Sequence, residues 1–235
     1  MPDYRGIEQQ FPRLSASSGA LLPSSCKRRH PPGCLTSRER SPPAAASGGS
    51  PRAGGRSTRS PVTITTAIGS YTHNIPLPQE RAEELDQTLS FMTGIGYIKM
   101  EEIPQIPRLP QTPGVVLYAP LGDTPVDPDV VLFAGRPGRI VLLQEATLRA
   151  GLGTQVPLLG RPTCMALPAA LAQGVVVSTG CIGNRVYTDL GEDELYVAVP
   201  GKDLVRIADE VETIAAANAK LSEYHRGRRQ GLATE

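Results

Sequence analysis

From Ile68 onward apolar and polar residues recur in periods that read as structural elements; before it they do not. Ser70–Pro78 is a turn-rich lead-in. Pro78 or Gln79 then opens a helix with Glu80, Glu83 and Glu84 in its first turn, which suits the positive end of the helix dipole. Ala82, Leu85, Leu89 and Met92 follow at helical spacing, which predicts a buried stripe, and Gly94 and Gly96 end the helix. Glu101–Pro113 carries a proline at every third position from Pro104, so the pattern predicts an extended connector with no helix inside.

The remainder reads as two similar halves. GVVLYAPLGD (Gly114–Asp123) predicts a strand and loop, DVVLFAG (Asp129–Gly135) a strand, and Pro137-Gly138 the start of a helix reaching about Ala150. GVVVSTGCIGN (Gly174–Asn184) again predicts a strand and loop, ELYVAVP (Glu194–Pro200) a strand, and Pro200-Gly201 precedes a helix. In that last helix Leu204, Ile207, Ala208, Val211, Ile214, Ala215 and Leu221 hold one stripe, Asp203 is placed to cap it, and RGRRQG supplies a basic end. The strands are continuous apolar runs, the mark of strands covered on both faces. The fold class is therefore α/β (or α+β), a mixed sheet from two ββα units with flanking helices. Residues 68–235 form a single domain, preceded by a disordered basic N-terminal segment over 1–67.

Composition supports that boundary. Residues 12–66 are almost entirely Ser, Arg, Pro, Gly and Ala with no hydrophobic period, too little apolar surface to offset the entropy of ordering. Between residues 11 and 66 eight arginines and one lysine face only Glu39, a net +8, which leaves −7 on the rest of a chain of net charge +1. Three readings fit this segment: a basic tail in which Lys27–His30 touches phosphates, a transit peptide, or a stretch translated out of frame. The third can be followed on paper. Moved back by one base, Pro43–Arg56 can encode a string containing GCSFW, Thr58–Ala67 one containing DHYNC, and Ser18–Pro23 one containing RPVAV; all have ordinary protein composition.

No run of apolar residues is long enough to span a membrane, and MPDYRGIEQQF has acids and no apolar core of a secretory signal. Cys26, Cys34, Cys164 and Cys181 then read as reduced thiols or ligands, and the location expected is cytoplasmic. RAGLGTQ matches neither a phosphate loop nor a dinucleotide fingerprint, and no Ser/His/Asp order can be defended. Neither a membrane nor a nucleic acid is an expected partner; a small molecule or a metal is. No oligomeric state can be read.

Candidate chemistry gathers in Leu159–Tyr187. Cys164 follows Arg161-Pro162-Thr163 at the start of a short helical segment, where backbone N–H groups favour a thiolate; the alternative is a small buried hydrophobe. Cys181 follows a buried strand, where α/β folds collect ligands, and Gly180 and Gly183 let a ligand approach the backbone; the alternative is a tight turn. Asn184 and Arg185 suit an anion, or a turn. Arg161, Thr163, Gly180, Gly183, Asn184 and Arg185 are thus the ligand-binding candidates, with Cys164 and Cys181 as metal ligands. Two thiolates do not complete a four-ligand zinc site. His73 suits a base or a ligand, but as a lone loop histidine it reads as structural or solvated. Tyr71, Tyr187 and Tyr196 read as packing residues, and Asp189, Glu192 and Asp193 as a solvated acidic turn.

The strings IGSYTHNIPLPQERAEEL, IPRLP, LLGRPTC, ALPAAL, GCIGNRVYTDLGEDELYVAVPG and ETIAAANAKLSEYHRGRR together resemble domain-of-unknown-function family 169, the uncharacterised ArCR family, over about Ile68–Arg229. RPVAV, GCSFW and DHYNC resemble its N-terminal portion. The resemblance implies that residues 12–67 depart from the family and lack half of its cysteines. In a frame-corrected protein four cysteines would suit zinc or an iron–sulfur cluster. It carries no established activity. The leading expectation is a metal, cluster or small ligand bound at a cysteine-centred pocket. A thiol-dependent enzyme using Cys164 or Cys181 and a non-catalytic ligand-binding or regulatory module are the alternatives.

Overall fold

Structure begins at the third residue. The Asp3 carboxylate accepts the Gly6 N–H at 2.9 Å and caps helix α1 (Tyr4–Gln10), satisfying an amide that no helical carbonyl reaches. Tyr4, Ile7 and Phe11 are all buried on one side of it. The computed structural model describes residues 2–11, 15–22, 57–59, 67–153, 157–188 and 190–232, with backbone alone for 15–22 and 57–59. Within these, β1 (Ser15–Leu22) and β2 (Ser57–Arg59) are strands of the sheet. Residues 1–67, assigned to disorder on composition, therefore supply a core helix and two strands. Pro43–Arg56, Lys27–His30, Cys26 and Cys34 lie outside the described residues.

The lead-in at Ser70–Pro78 starts as a helix, α2 (Ala67–Thr72), and turns at Asn74, whose φ of 54° is in the left-handed region that asparagine tolerates. Arg108 fixes the turn: its Nε donates to the Tyr71 carbonyl and its Nη2 to Asn74 Oδ1, each at 2.9 Å, while its guanidinium lies 4.2 Å over the Tyr71 ring. Helix α3 (Gln79–Gly94) follows as expected, but Ala82, Leu85, Leu89 and Met92 are half-buried and none of its residues is fully buried. The connector is not wholly extended. Met100–Gln105 forms a 3₁₀ turn with Pro104 inside it, possible because the N–H bonds of the turn come from Glu102 and Ile106 on either side of the proline.

The rest of the chain runs in order through β3 (Val115–Pro120), a 3₁₀ turn at Leu121–Asp123, β4 (Val130–Gly135), α4 (Pro137–Arg149), β5 (Leu158–Leu159), a 3₁₀ turn at Thr163–Met165, α5 (Ala166–Gln173), β6 (Val176–Ser178), α6 (Ile182–Tyr187), β7 (Leu195–Pro200) and α7 (Leu204–Leu232), of which β3, β4, α4, β6, β7 and α7 are the predicted strands and helices. Among the described residues the sheet runs β2-β3-β1-β4-β7-β6-β5, with β5 parallel to β6 and every other pair antiparallel. The two halves share their order of elements but not their pairing. In the first, β1 lies between β3 and β4 and is antiparallel to both, so those two run the same way. In the second, β6 and β7 are antiparallel neighbours. A symmetric duplication would pair both halves alike.

Helices cover both faces. Val131, Phe133, Val197 and Val199 point to α1, α4 and α7, where Ile140, Leu143, Leu204 and Ile207 complete the main core. Val130 and Ala198 point the other way, to Ala166, Ala169 and Ala170 of α5. This two-sided cover is why β4 and β7 read as unbroken apolar runs. In α7 the stripe holds through Val211; Ile214 is half-buried, and Ala215 and Leu221 are exposed. Among the described residues no helix is long and apolar enough to cross a membrane.

Candidate functional site

Strands β3, β4, β5 and β6 all point the same way, and the candidate residues collect at the carboxyl ends of β5 and β6, where α/β folds build sites. β5 leads through Gly160 into Arg161 and a cis bond to Pro162. Arg161 donates to Glu102 Oε2 at 3.0 Å and lies 4.8 Å over the Tyr97 ring, so this predicted binder is held by the connector rather than left open. Thr163 is buried, and its Oγ1 accepts the Cys181 N–H at 2.7 Å. That bond draws the segment bearing Cys164 onto the turn bearing Cys181. Neither thiol is joined in a disulfide among the described residues, and both are half-buried. Among the described residues no three His, Cys, Asp or Glu side chains gather as a metal ion would require. The described residues do not by themselves fit zinc or a four-cysteine cluster.

Beyond Cys181 the loop expected from GCIGN is a helix. Cys181 stands at the N-cap of α6, with extended backbone, and its carbonyl accepts the Arg185 N–H at 3.0 Å. Arg185 and Asn184, read as anion donors, face inward. The Arg185 guanidinium donates to three backbone carbonyls, those of Thr179, Gly191 and Glu194 (2.9 Å to Glu194). It is a staple, fastening the acidic turn onto the end of β6. Glu192 and Asp193 are solvated as expected, though Asp193 pairs with Arg136 at 2.8 Å, and Asp189 lies outside the described residues. Beneath the staple Tyr196 is fully buried, and its hydroxyl has no hydrogen-bond partner among the described residues; burial pushes its phenol up from the ordinary value.

The two glycines differ. Gly180 has a φ of +76°, and a Cβ there would sit 2.7 Å from Leu190 Cδ2, so the turn requires glycine. Gly183 has open space around it and no positive φ. Gly180→Ala is expected to cost about 1–3 kcal/mol through strain and displacement of Leu190, and Gly183→Ala to be neutral or mildly stabilising. Urea unfolding of the two variants checks this; equal midpoints would contradict it.

His73 lies in the turn after α2, as a loop histidine, but it is structural rather than solvated. It is fully buried beyond α2, with Nδ1 2.9 Å from the Gly69 carbonyl and Nε2 3.5 Å from the Tyr118 hydroxyl. Nδ1 donates to that carbonyl, which leaves Nε2 to accept. Burial lowers its pKa, and the Gly69 bond opposes this more weakly. The folded state holds the ring neutral while the unfolded chain takes a proton near pH 6.5, so stability is full above that pH and falls below it, by at most about 1.4 kcal/mol per pH unit. Urea midpoints from neutral to acidic pH should show this slope in the parent chain and a shallower one in His73→Gln. Sequence reasoning missed Tyr118, Tyr97 and Glu102 altogether, because each acts across the fold.

A family model described as uncharacterised ArCR matches residues 90–210, from the end of α3 into α7. The chain is similar to an uncharacterized protein of Methanocaldococcus jannaschii, with 29% identity over 127 residues, 50% of this chain and 54% of that protein. The chain thus spans about half the length of the curated relative it matches. No solved structure matches it.

Proposed function

We propose that this chain, which belongs to the uncharacterised ArCR family, binds a small molecule where Arg161–Cys164 meets Gly180–Cys181, with the thiols of Cys164 and Cys181 facing the bound group. The observation that carries this is the 2.7 Å bond from the Cys181 N–H to Thr163 Oγ1. It joins two thiol-bearing segments at the carboxyl ends of β5 and β6 and uses a buried hydroxyl to do so. Arg161, braced by Glu102 and Tyr97, walls one side; Asn184 and Arg185 hold the floor in shape. A metal or iron–sulfur cluster is the narrower reading, and it would draw further ligands from outside the described residues.

The test is direct. Chain purified without oxygen is denatured, and released small molecules, metal and sulfide are measured, alongside the alkylation rates of Cys164 and Cys181. The expected result is a released organic molecule near one per chain, much reduced in Thr163→Val, and slow alkylation until it leaves. Metal near one per chain would replace this reading with the narrower one. An empty protein whose thiols both react like free cysteine would end both.

A further inference from the structure

We propose that two copies of this chain exchange their C-terminal helices, the end of α7 from one lying antiparallel on α3 of the other. Helix α7 has 29 residues, yet its last fully buried one is Val211. Past it, Asn218 donates to Glu145 of α4. From Ala219 to Leu232 every residue is exposed, an arm about 21 Å long. Gly227 and Gly231 lie within it, each weakening a helix by about 1 kcal/mol relative to alanine.

The arm's surface states what it fits. Leu221 and Tyr224, both more than half exposed, lie toward its start, and Arg226, Arg228 and Arg229 toward its end. With Lys220 and Glu223 the net charge is +3. Helix α3 is the complement. It has no fully buried residue, it carries Glu80, Glu83, Glu84 and Asp86 against Arg81 for a net −3 in its first half, and Phe91 and Ile95 stand exposed at its end. Laid antiparallel, basic end meets acidic start, apolar start meets apolar end, and the helix dipoles oppose favourably. The two segments also match in length, 14 residues against 16. The arm and its own α3 belong to opposite faces of the sheet: α7 packs on the α1 and α4 face, whereas α3 rests on α2, which lies on the α5 side beside Tyr118. A second copy satisfies both arms at once and closes the contact with two-fold symmetry.

Sedimentation velocity on the full chain tests this. Dimers are expected at micromolar concentration, weakening as salt rises. Arg226→Glu with Arg228→Glu and Arg229→Glu, or Glu80→Lys with Glu83→Lys and Asp86→Lys, should each weaken dimerisation at least about tenfold. All six side chains are exposed, so both variants should stay folded, a little less stable than the parent. Mixing the two variants should restore a dimer, since each arm then meets a helix of opposite charge. A parent that stays monomeric at micromolar concentration, or a dimer untouched by salt and by both triple reversals, overturns the proposal; an arm that serves some other partner would give the first of these.

Discussion

Gly201→Ala leaves little folded protein. The Gly201 N–H donates to the Asp129 carbonyl at 2.8 Å, and a Cβ at this position would land on the carbonyl oxygen of Pro128, far inside contact distance. The obstacle is backbone, so no side-chain rotation relieves it. The paired strands β4 and β7 meet at Val130 and Pro200, next to the clash, and they carry the centre of the sheet. Forcing them apart is expected to cost more than about 4 kcal/mol, most of the stability of an ordinary domain. Gly138, the glycine of the other Pro-Gly pair, is the control. Nothing lies within 4 Å of a Cβ there, and it sits inside α4, so Gly138→Ala should hold or gain up to about 1 kcal/mol. Soluble yield and urea unfolding of the two variants decide it; similar behaviour would mean that the approach of Pro128 does not matter.

Phe11→Ala is expected to cost about 3–5 kcal/mol, as large-to-small changes in well-packed cores do. The Phe11 ring is 2% exposed and its centroid is 4.8 Å from that of Phe133, in the middle of β4. Three polar contacts seat the same helix: Tyr4 donates to Asp127 at 2.7 Å, the Gly122 N–H donates to Glu8 at 3.1 Å, and Arg5 pairs with Asp123 at 3.2 Å. The Arg5 pair is exposed on both sides and adds little. Arg5→Ala should therefore stay within about 0.5 kcal/mol of the parent in the same unfolding experiment. A Phe11→Ala variant as stable as Arg5→Ala would show α1 to be a surface attachment.

What was legible follows from where the information lies. β4, β7 and the first turns of α7 announce themselves because burial on both faces demands unbroken apolar runs, and Pro137 and Pro200 punctuate them. α2 and α6 were missed because six residues with a glycine inside make no period to recognise. α1 had a signal, the Asp3 cap followed by Tyr4, Ile7 and Phe11 at helical spacing, but the basic stretch after it obscured the boundary. At the site, Gly180 was legible as a backbone-permissive position, and its positive φ is the reason. Arg185 was not. Its chemistry suits an anion equally well, and only the fold brings three carbonyls to its guanidinium. His73 likewise owes its neutral, buried state to β3, forty-five residues further along.

The seating of α1 also sets a clock on synthesis. Its bonds to Gly122 and Asp127 close loops of 114 and 123 residues. At about 5–20 residues per second a ribosome needs several seconds to add that much chain. Throughout that interval Tyr4, Ile7 and Phe11 have no place to dock. Contacts so distant in sequence are slow to form even once the chain is complete. Helix α1 is thus made well before its partners and is among the last elements to dock, so the growing chain carries an uncovered apolar helix in the meantime.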